Sequence, residues 1–130
     1  MGTPSDWSHS RFWPGQPSDV GEARRFVSQH LVAHSLPDMV GDATLVVSEL
    51  ASNAVQHART SFGVTISGQD SGVEIAVSDG TWDTTPTTFH AHAFGLGGRG
   101  LLVVENLSTD WGVRGSADGG KSVWANLDIH

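Results

Sequence analysis

Glu49 and Asn53 stand four residues apart in the run SELASNAVQHA at 48–58, and His57 follows four residues later. On a helix that spacing puts all three along one line of one face. A carboxylate and an amide oxygen are hard oxygen ligands, suited to Mg²⁺ and its water shell, and Glu49 could also take a proton as a general base. The same row fits the solvent-facing edge of an amphipathic helix. Asp79 comes directly before Gly80 in VSDG. A carboxylate at a strand end can accept a hydrogen bond from an exocyclic amine such as that of adenine, and the glycine lets a ligand approach the backbone. Asp-Gly is also an ordinary turn signal.

The run Gly95-Leu96-Gly97-Gly98-Arg99-Gly100 holds four glycines in six residues. Placed before a helix, it offers several N–H donors to a phosphate, with Arg99 adding charge. It also reads as a flexible linker. It is neither a dinucleotide fingerprint nor a P-loop, since no parallel strand-turn-helix unit surrounds it and no Gly-Lys-Ser/Thr follows. His90-Ala91-His92 could hold a metal through alternating imidazoles, but an exposed loop pair without a third ligand is the simpler reading. Gly120-Lys121 fits a phosphate contact and a hairpin turn equally well.

The elements that must position these residues follow from periodicity. Residues 18–35 predict a helix with apolar positions Ala23, Phe26, Val27 and Leu31, Val32 at the edge of that stripe, a capping pair Asp19–Glu22 at its start, and Pro37 beyond its end. Residues 38–58 predict a second, largely buried helix carrying Glu49, Asn53 and His57. The period then changes to two. Val64 and Ile66, then Val73, Ile75 and Val77, alternate with polar residues around Gly68–Gly72, as in an antiparallel hairpin. Residues 80–97 read as a long loop, 99–107 as a short helix, and 110–115 and 121–129 as a last strand pair turning at Asp118-Gly119-Gly120. Residues 1–17, with three prolines and two tryptophans, read as an irregular arm whose Trp7, Phe12 and Trp13 pack on the domain or on a partner. One domain is expected over 18–130. Strands segregated from helices make this an α+β two-layer sandwich.

The chain has 130 residues, 38% hydrophobic and 16% charged, which suits one globular core. A net charge of −7 disfavours direct nucleic-acid binding. With no cysteine there is neither a disulfide nor a thiolate metal site. No apolar stretch is long enough to span a membrane and the N-terminus has no secretory pattern, so a cytoplasmic location is expected.

Taken together, SELASNAVQHA at 48–58, VSDG at 77–80, GRGLLVVENLSTDWGV at 98–113 and GGKSVWANL at 119–127 resemble the Bergerat-fold (GHKL, histidine kinase-like) ATPases, which include DNA gyrase, sensor histidine kinases and mismatch-repair ATPases. The chain is most similar to the short actinobacterial anti-sigma factor serine/threonine-kinase branch, whose first helix EARRFVSQHL at 22–31 also resembles. The resemblance runs from about residue 18 to the C-terminus. It implies a mixed, mostly antiparallel sheet covered by helices on one face, with ATP and Mg²⁺ as cofactors. It further implies Glu49 as the residue polarising the attacking hydroxyl, Asn53 as the Mg²⁺ ligand, and His57 near the phosphates. Asp79 would bind the adenine amine beside Gly80, with Gly98, Arg99, Gly100 and Leu101 in a lid against the phosphates. The family usually has a second glycine two residues after the aspartate. Here that position is Thr81, whose hydroxyl is expected to reach the adenine or a neighbouring water.

What the resemblance implies about function is an ATP-dependent kinase acting on a serine or threonine of a small antagonist protein, with a sigma factor as the other partner and a homodimer as a further expectation. The alternative is an ATP-binding module that sequesters a regulator without transferring phosphate. A sensor histidine kinase fragment is disfavoured, since no phosphoacceptor helix precedes the domain.

Overall fold

The computed structural model describes residues 7–58, 61–69, 71–79, 99–115 and 121–129, with the backbone alone at 57–58, 79, 99–102 and 121. Five strands form one sheet: β1 (Trp7–Trp13), β2 (Phe62–Gln69), β3 (Gly72–Asp79), β4 (Asp110–Gly115) and β5 (Lys121–Asp128). Their order across the sheet is β1-β2-β3-β5-β4, and every pairing is antiparallel. The expected mostly antiparallel sheet under a layer of helices is present, and among the described residues no parallel pair occurs in it. The helices are α1 (Asp19–Ala33), α2 (Val40–Asn53) and α3 (Arg99–Leu107).

Period-two patterning becomes rows across the sheet. Val64, Val77 and Val123 lie opposite one another, as do Ile66, Ile75 and Ala125. All six are 5% exposed or less and face the helices. The helical stripe Ala23, Phe26, Val27 and Leu31 of α1 and Ala43, Val46, Val47, Leu50 and Ala51 of α2 closes the core from the other side. The outer face is polar. Ser10 and Thr65 share a hydroxyl hydrogen bond at 2.8 Å, and Arg114 donates to Glu74 at 3.0 Å while lying over the Trp124 ring.

Three local expectations change. Residues 7–13, read as irregular, form edge strand β1, paired with β2 from Trp7↔Gly68 to Trp13↔Phe62. Trp13 enters the core at 5% exposure, stacked on Phe62 and edge-on to Phe26. Of the prolines that suggested an arm, Pro14 and Pro17 follow the strand, and Pro4 lies outside the described residues. Second, Asp19 and Glu22 are not a capping pair. The Asp19 carboxylate accepts the Gly15 and Gln16 N–H groups at 3.0 and 2.8 Å, fixing the loop before α1, and Glu22 instead pairs with Arg25 and Arg11. Third, α1 stops through its own backbone rather than at Pro37. Ser35, at φ 64°, lets its N–H bond the Val32 carbonyl and the Leu36 N–H bond the Leu31 carbonyl, which is the Schellman arrangement with serine in place of the usual glycine.

Candidate functional site

The single helix expected over 38–58 is three pieces. A 3₁₀ turn at Pro37–Met39 leads into α2, and a π-helical turn at Ala54–Ala58 follows Asn53 directly. Such wider turns are frequent at functional sites, because the extra residue per turn re-aims the backbone. Glu49 and Asn53 keep their one-turn spacing on α2. His57 falls in the π turn, where i→i+5 geometry takes it off that line.

Asn53 is 7% exposed, and its Nδ2 donates to the Glu49 carbonyl at 2.8 Å. That bond fixes the amide, commits its nitrogen to the protein and leaves Oδ1, the atom able to ligate a hard cation. Glu49 is half-buried one turn earlier. The pair therefore brings an oriented amide and a carboxylate to the end of a helix whose core-facing side is apolar.

The sheet supplies the other wall. The π turn packs on β3, and β3 ends at Asp79. That position lies in the row Trp13–Phe62–Asp79–Lys121–Gly115, two residues beyond Val77 and so at a register position on the helix-covered side. Lys121, which the sequence left divided between a phosphate contact and a turn, thus sits directly opposite Asp79. α3 completes the arrangement. A cleft of about 230 Å³ is lined by Met39 and Asp42 near the start of α2, by Leu107, Ser108 and Thr109 at the end of α3, and by Leu127 and Asp128 of β5. Since α2 and α3 pack together and the beginning of one meets the end of the other, they run antiparallel. Arg99, Gly100 and Leu101, at the start of α3, accordingly lie toward the end of the layer where α2 delivers Asn53. The cleft is at the opposite end and contains none of the expected site residues.

Glu49, Asn53, Asp79 and the start of α3 are thus gathered at one end of the sandwich. Gly80, Thr81, His90-Ala91-His92 and Gly95-Leu96-Gly97-Gly98 of the glycine run lie outside the described residues.

The description "histidine kinase-like ATPase domain" belongs to the family that matches residues 13–127. The chain belongs to this family. Its α+β architecture, with helices over one antiparallel sheet, is consistent with that membership. The match begins at Trp13, so it includes the last residue of β1 as well as all three helices. No curated protein is similar enough to match the chain. Among the described residues no helix is long and apolar enough to cross a membrane. Family membership makes this a nucleotide-binding domain of the ATPase type and leaves its substrate open.

Proposed function

We propose that the chain binds Mg-ATP at the end where α2, β3 and α3 converge and transfers the terminal phosphoryl group to a serine or threonine of a small regulatory protein, as an anti-sigma-type kinase does. The carrying observation is the Asn53 amide, whose nitrogen is held by the Glu49 carbonyl and whose oxygen has no partner among the described residues, one turn after a half-buried carboxylate. A hard oxygen donor beside a carboxylate fits Mg²⁺. Bound there, the ion would screen the charge of the phosphates. Asn53 Oδ1 would hold it, and Asp79 would accept the adenine amine.

The chain's own part in transfer is positioning. Glu49 orients the incoming hydroxyl and accepts its proton. Arg99, Gly100 and Leu101 open α3 after the glycine run, so their N–H groups and the Arg99 guanidinium suit phosphate oxygens. Lys121, across from Asp79, offers a second cation at the same end. A sigma factor and its antagonist are the partners this reading expects, in the cytoplasm.

Calorimetric titration of ATP, with and without Mg²⁺, into the wild type and Asn53→Ala tests the site. Magnesium-dependent binding that the variant loses supports it. A wild type that ignores millimolar ATP removes it. Labelled ATP offered with candidate antagonist proteins then separates a kinase from a module that binds nucleotide without transfer. Glu49→Gln should keep ATP binding and lose transfer.

A further inference from the structure

A second cluster of functional groups lies away from the Asp79 row, where β1 crosses α1. His30 lies in the last turn of α1 and His34 is the residue that caps its end, and His9 stands opposite Ile66 on the helix-covered side of β1. One ring nitrogen from each of His9, His30 and His34 lies within 4.8 Å of the other two, and all three side chains are half-buried. His9 Nε2 and His34 Nε2 are 2.9 Å apart. His9 is four residues along the strand pair from Phe62, the neighbour of Asp79, or about 14 Å at roughly 3.4 Å per residue. The cluster is therefore separate from the nucleotide end.

We propose that His9, His30 and His34 form a binding site for a borderline divalent transition-metal ion such as Zn²⁺, with three imidazole ligands and one coordination position open. Imidazole-only donors suit zinc, copper, nickel and cobalt, and are poor ligands for Mg²⁺ or Ca²⁺. At Zn–N distances of about 2.0–2.1 Å, tetrahedral ligand nitrogens stand about 3.3 Å apart. To reach it, the His9 and His30 rings, stacked at 3.9 Å with planes 17° apart, turn so that their in-plane lone pairs meet at one ion.

Aromatic contacts gather the three rings before any ion binds. Trp7 stacks on His34 with centroids 3.8 Å apart and planes within 3°, His9 stacks on His30 at 3.9 Å, and Phe26 meets His30 edge-on at 4.7 Å. A purely structural stack between β1 and α1 needs aromatic faces, which phenylalanine and tryptophan supply without charge. Three imidazoles clustering their ring nitrogens add donor atoms that packing does not require, and an ion bound there takes the place of the proton that His9 Nε2 and His34 Nε2 share in their hydrogen bond. Two of them, His30 and His34, also resist protonation. Burial and then the neighbouring His9 hold His34 below imidazole's usual range, and the same two effects plus His34 act on His30. Neutral imidazole is the ligating form. Three protein ligands with an open fourth position are the arrangement of an exchangeable or catalytic ion rather than a closed structural one. The ion's structural effect here is to tie the edge strand to α1.

The test uses the full, untagged chain, stripped of metal and titrated with Zn²⁺ and, for its visible spectrum, Co²⁺. One equivalent should bind at micromolar metal and raise the unfolding temperature. The imidazole proton NMR signals of His9, His30 and His34 should move together, while those of His57, His90, His92 and His130 stay in place. His9→Phe and His34→Phe, which keep an aromatic face, should each weaken binding by more than the roughly 10–100-fold that losing an outer-shell partner costs, with circular dichroism unchanged. Absence of saturable binding below millimolar metal overturns the site. So does binding that shifts the other histidines instead, a readout on the wild type that stands even where a variant fails to fold.

Discussion

Exchanging Asn53 for aspartate isolates the structural half of the site. The substitution preserves shape and replaces one N–H₂ donor with oxygen. In the wild type that donor reaches the Glu49 carbonyl at 2.8 Å in a position 7% exposed. Losing the bond costs about 1 kcal/mol. Setting a carboxylate oxygen against a carbonyl oxygen with little access to water adds about 1–3 kcal/mol. The sum, about 2–4 kcal/mol, is a large part of the 5–15 kcal/mol that holds a typical domain together. At about 4 °C per kcal/mol, the unfolding temperature falls by roughly 8–16 °C. Urea and thermal unfolding without nucleotide or Mg²⁺ measure it. The effect carries its own sign in pH. The introduced carboxyl, when protonated, can donate to the Glu49 carbonyl again, so folding raises its pKa above the ordinary value of about 3.9. A raised folded pKa means that the penalty is absent below the unfolded value and develops as pH rises through the folded one. The variant should therefore approach wild-type stability in acid and fall behind toward neutrality. Equal stability at neutral pH, or a deficit independent of pH, refutes the oriented-amide argument.

Two glycines should respond oppositely to alanine. At Gly72 an added Cβ would stand 2.6 Å from the Leu127 carbonyl oxygen in the paired strand, so Gly72→Ala should cost about 1–3 kcal/mol by chemical denaturation. At Gly41, in the first turn of α2, nothing lies within 4 Å, and Gly41→Ala should stabilise by about 0.5–1 kcal/mol. Ser35→Gly should stabilise by about 0.5–1 kcal/mol, the relief of the left-handed backbone exceeding glycine's entropy, and a loss of stability there would mean that the serine hydroxyl matters more than φ. Trp13→Ala should cost about 3–5 kcal/mol, since the ring is 5% exposed between Phe26 and Phe62, and a melting curve identical to wild type would detach β1 from the core.

What was legible in the sequence was what short-range spacing determines. The Val64/Ile66 and Val73/Ile75/Val77 alternation specified both strands of the hairpin and their inward faces, because a one-residue slip would turn every valine outward. The stripes of α1 and α2 were equally plain. β1 was not legible, since WSHSRFW carries one deeply buried apolar residue, Trp13, and its edge position is set by pairing with a strand some 55 residues away. The Asp19–Glu22 spacing satisfied the capping pattern, yet the carboxylate found two closer backbone donors in the preceding loop. Local patterns state what a side chain could bond, and tertiary geometry chooses among the donors within reach.

The two clusters illustrate the same division in their chemistry. Glu49 and Asn53 were readable as a pair because one helix holds both, and four-residue spacing alone decides their neighbourhood. The histidine triad has half of that signal, His30 and His34 at helical spacing. Its third member lies on a strand 21 residues earlier that gave no sign of being a strand. Once β1 pairs with β2 in the Trp13↔Phe62 register, period-two alternation brings Trp13, Arg11, His9 and Trp7 all to the helix-covered side, and α1 is the helix that meets them. The register that seats Trp13 in the core therefore also fixes His9 against His30 and His34. A slip of one residue would bury Phe12 in place of Trp13 and turn His9 to the polar face. The buried tryptophan and the imidazole cluster are thus two consequences of one strand pairing, and a substitution that unseats Trp13 should disperse the three histidines with it.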